Sequence, residues 1–207
     1  MTLEIREFHT NFIAIKDVPN HDYWKDYFVS AIDNELSYED EIFYKTNANH
    51  MINENEDEVW SGQKWKLDNN ASSSYFNDHT SINYDDFTEK VIKPSVDELI
   101  NQLNFNQFFI ENIFYWYNRY DEMGSHQVHD HPGANLCLIY ILHLEEPNTT
   151  VFHNTRYPDP LYPKQIYTDD LPEGKLILFP SHLQHEAQWS EKRRYTIAGN
   201  INFKDYE

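Results

Sequence analysis

Apolar positions near the start of the chain alternate, but loosely. Leu3 and Ile5 share one parity and Phe8, Phe12 and Ala14 the other, a break that predicts two short strands, or one with a bulge, over 2–16. Past the punctuation of Pro19 and Asn20 the period lengthens. Trp24, Phe28, Ile32 and Leu36 recur at every fourth position, with Tyr23, Tyr27 and Ala31 beside them. That spacing predicts a helix over 21–36 whose stripe packs into a core. From 38 to 83 the chain is polar, with Trp60 and Trp65 bracketing Ser61-Gly62. The expectation there is loop with short strands, either a lid or rim to a site or a plain surface excursion. A second helical stretch spans 84–103 on Phe87, Val91, Leu99 and Leu103. Pro94 lies inside it, and Ser95-Val96-Asp97-Glu98 reads as a capping box, so a kink or two helices in series is expected.

After Phe105 the pattern changes to strands. The β-branched and aromatic run Ile113–Tyr120 precedes a turn at Asp121-Glu122-Met123-Gly124. A strand bearing His129 follows, then the apolar run at 136–143, and further strands near 149–153, 174–179 and 193–203. Short strands divided by turns, after two helices, predict a mainly β sandwich or barrel with helices packed outside.

Composition narrows the class. At 207 residues and 40% hydrophobic content the chain can bury one sizeable core, and no apolar run approaches the roughly 18–20 residues that cross a bilayer. The first residues lack the basic-then-apolar order of a secretory signal. A single cysteine, Cys137, rules out an internal disulfide framework and suits a reducing compartment, so a soluble intracellular protein is expected. The net charge of −19 disfavours non-specific nucleic-acid binding and anionic membranes. Lys192-Arg193-Arg194 is the one tight basic cluster.

Candidate chemistry centres on Gln127-Val128-His129-Asp130-His131-Pro132-Gly133. On a strand, His129 and His131 project to one face while Val128 and Asp130 turn outward. Paired imidazoles can hold a divalent transition metal, or can be ordinary surface or hydrogen-bonded histidines, and the chain has 11 histidines to draw from. Later come His182 and His185, then Arg194. A guanidinium forks onto a carboxylate through two parallel hydrogen bonds, although a strand-edge salt bridge would also account for it. His126 has the wrong parity to share a face with His129, and His143 and His153 read as rim or surface residues. Trp116 suits aromatic packing, and Asn118 could line a pocket.

Taken together, His129-x-His131-Pro132, the strand ending Ile139-Tyr140-Ile141-Leu142, Gly174–Ser181 with His185, and Arg194–Asn200 resemble the 2-oxoglutarate/Fe(II)-dependent oxygenases, in particular a bacteriophage-type subgroup. The resemblance covers 112–203. It implies a double-stranded β-helix (a jelly-roll, cupin-like barrel). The chain's length suits a single domain over 1–207, in which residues 1–110 would form a helical and loop part supporting a metal-binding core at 111–207. The resemblance also implies Fe(II) held by His129, His131 and His185. The cosubstrate 2-oxoglutarate would be held by Arg194 and Thr196, with Tyr140 as a further candidate. The activity implied is hydroxylation by dioxygen of a small-molecule or peptide substrate, with release of succinate and CO2, in the cytoplasm (a host's, if phage-encoded). The pattern departs from the family at one place. A histidine stands where the usual triad has a carboxylate, and Asp130 falls one residue early, so either His131 or an inward-turned Asp130 completes the set. Two other readings stay open: a three-histidine dioxygenase without 2-oxoglutarate, and a non-catalytic cupin-like ligand-binding or phage structural module.

Overall fold

In a computed structural model of the chain, the described residues are 3–8, 11–50, 66–67, 71–75, 80–105, 107–146, 150–153, 165–167 and 171–205. Strands β1 (Glu4–Phe8) and β2 (Asn11–Asp17) open the chain, followed by helix α1 (His21–His50) and the short strands β3 (Lys66–Leu67) and β4 (Ala71–Ser73). Helix α2 (Asp85–Phe87) runs through a π turn (Thr88–Ile92) into α3 (Lys93–Gln102). Eight strands follow: β5 (Phe108–Tyr120), β6 (His126–His129), β7 (Leu136–Leu144), β8 (Thr150–His153), β9 (Gln165–Tyr167), β10 (Lys175–Pro180), β11 (Gln184–Ala187) and β12 (Arg194–Asp205). None of the described helices is long and apolar enough to cross a membrane.

The strands form two antiparallel sheets, one ordered β1-β2-β10-β7-β12-β5-β4-β3 and the other β6-β11-β8-β9. This is the mainly β, double-stranded β-helix architecture that the strand spacing and the resemblance led us to expect. The large sheet buries both faces. Leu136, Leu138, Tyr140 and Leu142 of β7 join Trp24, Phe28, Ile32, Phe87 and Val96 in a core under the helices. Cys137, Ile139 and Ile141 turn the other way and meet Phe152, Ile177 and Phe179 between the sheets. Burial on both faces is why β7 reads as an unbroken apolar run rather than an alternation.

Two local expectations change. Helix α1 continues to His50, well past Leu36, into a segment expected as loop. The apolar stripe stops where the core stops, but no Gly or Pro stands between His21 and His50 to break the helix. The remainder of that polar region at 51–65, 68–70 and 76–79, including Trp60 and Trp65, lies outside the described residues. Ser95 does not begin a helix: its hydroxyl donates to the Val91 carbonyl at 2.6 Å. Glu98 instead accepts from the Leu3 N–H at 2.9 Å and Lys16 Nζ at 2.7 Å, tying α3 to the N-terminal strands. Pro94 lacks an N–H and its ring crowds the carbonyl four residues back, and the wider π turn just before α3 absorbs both.

Candidate metal centre

Cross-strand pairing builds the centre. His185 on β11 lies opposite His129 on β6, so two imidazoles meet across adjacent antiparallel strands, with ring centroids 4.3 Å apart. His131 lies past the end of β6 rather than on it. Its N–H donates to the Ser181 carbonyl at 3.0 Å, while Ser181 Oγ donates to the Ala134 carbonyl at 2.6 Å. Between these contacts sits the Pro132-Gly133 turn. Gly133 has φ +97°, the left-handed conformation that the third position of a type II turn requires. The turn following β6 is thus fastened to the turn that leads into β11. The ring of His131 comes to 5.0 Å from His129 and 5.3 Å from His185.

Among the described residues, His129, His131 and His185 offer ring nitrogens that all lie within 4.8 Å of one another. The backbone sets the tautomers of His129 and His185. His129 Nδ1 donates to the Gln127 carbonyl at 2.7 Å and His185 Nδ1 to the Leu183 carbonyl at 3.1 Å, which leaves each Nε2 as a lone-pair donor. Burial lowers the pKa of His129, brings His131 down to about 4 and drives His185 well below its ordinary value. All three are therefore neutral near pH 7, the form that binds metal. A trio of neutral, largely buried imidazoles, two of them with tautomers fixed by the backbone, fits a divalent transition metal.

Parity reasoning failed for His126. His185 and Ala187 are two residues apart on β11, but their partners His129 and His126 are three apart on β6. The extra residue is a bulge that returns His126 to the inner face, stacked 4.0 Å from His129. Nothing in the local sequence marks that bulge. Val128 faces outward, and Asp130 is solvent-exposed yet borders the cavity.

The cavity between the sheets encloses about 200 Å³ and includes the three histidines, Arg194 and Thr196. Arg194 is buried, and burial pushes its pKa down to about 10, so it remains charged at neutral pH. Its Nη2 donates to the Gln188 carbonyl at 2.8 Å, and its guanidinium lies 4.0 Å over the Tyr120 ring, a contact that no motif announced. Two residues on, Thr196 Oγ1 accepts from Asn118 Nδ2 at 3.3 Å. Arg193 has the opposite parity and pairs at the surface with Asp121 at 2.8 Å.

Tyr140 is not brought to this cavity. It lies on the helix face of β7, where its hydroxyl meets His21 Nδ1 at 2.6 Å and its ring stacks on Phe87. The cavity is lined on β7 by Cys137, Leu138, Ile139, Ile141 and Leu144 but not by Tyr140, so Tyr140 is corrected to a core residue. His182 is exposed and contacts Asn11 Oδ1 at 2.8 Å, His143 pairs with Glu173, and His153 pairs with Glu186. Trp116 is buried in the cavity wall.

Among solved structures, a Pseudomonas putida prolyl-4-hydroxylase matches with TM-score 0.59 at 10% identity, covering 92% of this chain and 91% of its own. A Burkholderia pseudomallei oxidoreductase of the 2OG-Fe(II) oxygenase family matches at 0.42 and 14% identity, covering 56% of this chain and 55% of its own. A Trichoplax adhaerens prolyl hydroxylase bound to a peptide fragment matches at 0.40 and 19%, with 54% of each chain covered. The first establishes the shared fold, and the chain spans only about half the length of the other two. No protein-family model and no curated protein sequence matches the chain.

Proposed function

We propose that this protein is an Fe(II)- and 2-oxoglutarate-dependent dioxygenase that hydroxylates a small-molecule or peptide substrate. The observation that carries the proposal is the placement of three neutral imidazoles and one buried guanidinium in a single cavity. His129, His131 and His185 would hold the metal. Arg194, with the Thr196 hydroxyl two residues further along β12, would take the far carboxylate of 2-oxoglutarate. Bound there, Fe(II) and 2-oxoglutarate together supply the oxidising power that turns a C–H bond and dioxygen into an alcohol, with succinate and CO2 as coproducts.

The chain's own contribution is positioning and exclusion of water. A buried guanidinium in a low-dielectric cavity attracts a carboxylate far more strongly than one in water. Tyr120 and the Gln188 carbonyl fix its direction, and Asn118 fixes that of Thr196. Backbone carbonyls hold the rings of His129 and His185 so that their Nε2 atoms stay turned to the centre. Apolar neighbours such as Ile139, Ile141 and Phe179 keep bulk water from the interior.

One observation favours a second reading. The donor set has no carboxylate within it, which also suits a three-histidine dioxygenase that needs no 2-oxoglutarate. Turnover separates the two. The wild-type protein should convert 2-oxoglutarate to succinate in an Fe(II)-dependent manner. Arg194→Ala should cost about 2 kcal/mol of cosubstrate binding, roughly thirtyfold in Kd. Oxygen uptake that ignores both 2-oxoglutarate and Arg194 would favour the second reading. No metal-dependent turnover of any kind would favour a ligand-binding module.

A further inference from the structure

The cavity wall changes character with distance from Arg194. Register along β5 places Tyr120 opposite Arg194, Asn118 opposite Thr196, Trp116 opposite Ala198 and Phe114 opposite Asn200. The first two belong to the guanidinium end, whereas Trp116 and Phe114 lead outward past the histidines, and Phe114 is about half exposed. Tyr75, just beyond β4, stands edge-on to both, at 4.9 Å and 82° from Trp116 and 6.0 Å and 86° from Phe114. The ring of His131 is 5.3 Å from Trp116 and 6.4 Å from Tyr75. Asp130, adjacent to His131 and exposed, borders the same cavity.

Two aromatic rings, Tyr75 and Trp116, and the Asp130 carboxylate therefore line the cavity beside His131, and the half-exposed Phe114 packs against both rings. Aromatic faces attract cations through their quadrupoles, and a neighbouring carboxylate adds a full opposing charge. A neutral apolar group would gain from the rings alone, and an anion would be repelled by Asp130. The chain's net charge of −19 favours the approach of cations over longer range. We propose that the primary substrate presents an ammonium or guanidinium group to the Tyr75–Trp116–Phe114 wall, with Asp130 as its counter-charge. Asp130 would then serve the substrate and not the metal. The inference rests on the oxygenase reading for what happens next to the bound group, but the recognition itself requires neither metal nor cosubstrate.

The test compares binding of Nα-acetyl-lysine methylamide with that of its uncharged analogue Nα-acetyl-norleucine methylamide, which lacks only the ammonium group, by ligand-observed NMR on the full chain. Each probe is titrated into metal-free protein and into protein loaded anaerobically with Fe(II) and 2-oxoglutarate. The lysine derivative should bind about fivefold or more tightly than the norleucine derivative, and the preference should shrink in high salt. Asp130→Asn and the exposed-ring variant Phe114→Ala should each cut the preference to less than about twofold. Asp130→Asn should also keep the visible absorption of the Fe(II)–2-oxoglutarate complex. The inference is overturned by equal binding of the two probes, by no detectable binding of the lysine derivative, or by a preference that survives both substitutions. Loss of the visible absorption in Asp130→Asn would overturn it as well, by making that carboxylate a metal ligand. A lysine preference in wild-type protein that never shows this absorption would support the cation site and sink the oxygenase reading.

Discussion

Glu173 shows how one residue can join distant pieces of the chain. It accepts hydrogen bonds from Lys25 Nζ at 2.6 Å on α1, and from His143 Nδ1 at 2.9 Å and the Leu144 N–H at 3.1 Å on β7. Burial alone would raise its pKa, but these donors outweigh it and bring the carboxyl down to about 2. Because the folded value lies below the unfolded one, the unfolded chain binds more protons as pH falls below the ordinary carboxylate value of 4.5. The stabilisation from Glu173 is thus complete above that value and is lost as pH drops through about 2. Glu173→Gln should flatten the acid side of a stability-versus-pH profile between those limits, and an unchanged acid slope in denaturant melts would contradict the assignment. Tyr140 supplies the complementary test. Tyr140→Phe should cost about 1 kcal/mol of stability by stranding His21, yet leave the Kd for 2-oxoglutarate unaltered. Weaker cosubstrate binding in that variant would return Tyr140 to the cavity. At this scale the sequence carried His129, His131, His185, Arg194 and Thr196 through spacing and family likeness. Tyr120, His126 and Tyr75 were hidden, since their places depend on register, on a bulge and on a strand too short to leave a pattern.

Turns decide how well the elements deliver those side chains. At Gly133 a Cβ would meet nothing within 4 Å, so Gly133→Ala tests the backbone conformation at φ +97° and nothing else. That conformation should cost an alanine about 1–2 kcal/mol. Relaxation of the turn should move His131 but not the His129–His185 pair, which is set by strand pairing. The variant should therefore stay folded and bind metal more weakly, as isothermal titration with a divalent metal can show; unchanged affinity would mean that His131 contributes little. Strands β5, β7, β8, β10 and β12 were legible because each is flanked by turn residues and carries β-branched or aromatic side chains. The end of α1 was not legible, because periodicity reports a buried face and falls silent where a helix leaves the core. The π turn was legible only as a disturbance at Pro94.

For the whole molecule, the first two strands are structural parts of the large sheet. β2 pairs with β10 from Asp17↔Lys175 to Ala14↔Leu178, and Ile13 and Ile15 fill the core between the sheets. Burial of those two isoleucines contributes about 3–6 kcal/mol, comparable to the whole stability of a domain of this size. We propose that the chain folds as one unit. A variant lacking residues 1–17 should be insoluble or show no cooperative melt, whereas a soluble, metal-binding 18–207 fragment would contradict that. The double-stranded β-helix likewise governs the site, since it brings β6 to one cavity with β11 and β12, although β6 lies far from the other two in the chain. The most direct test is anaerobic addition of Fe(II) and then 2-oxoglutarate to the wild-type, His185→Ala and Arg194→Ala proteins, followed by visible absorption. A metal-to-ligand band should appear for wild type at one equivalent of each, be absent for His185→Ala, and need about thirtyfold more 2-oxoglutarate for Arg194→Ala. No band from wild-type protein, or a band indifferent to both substitutions, would contradict the account.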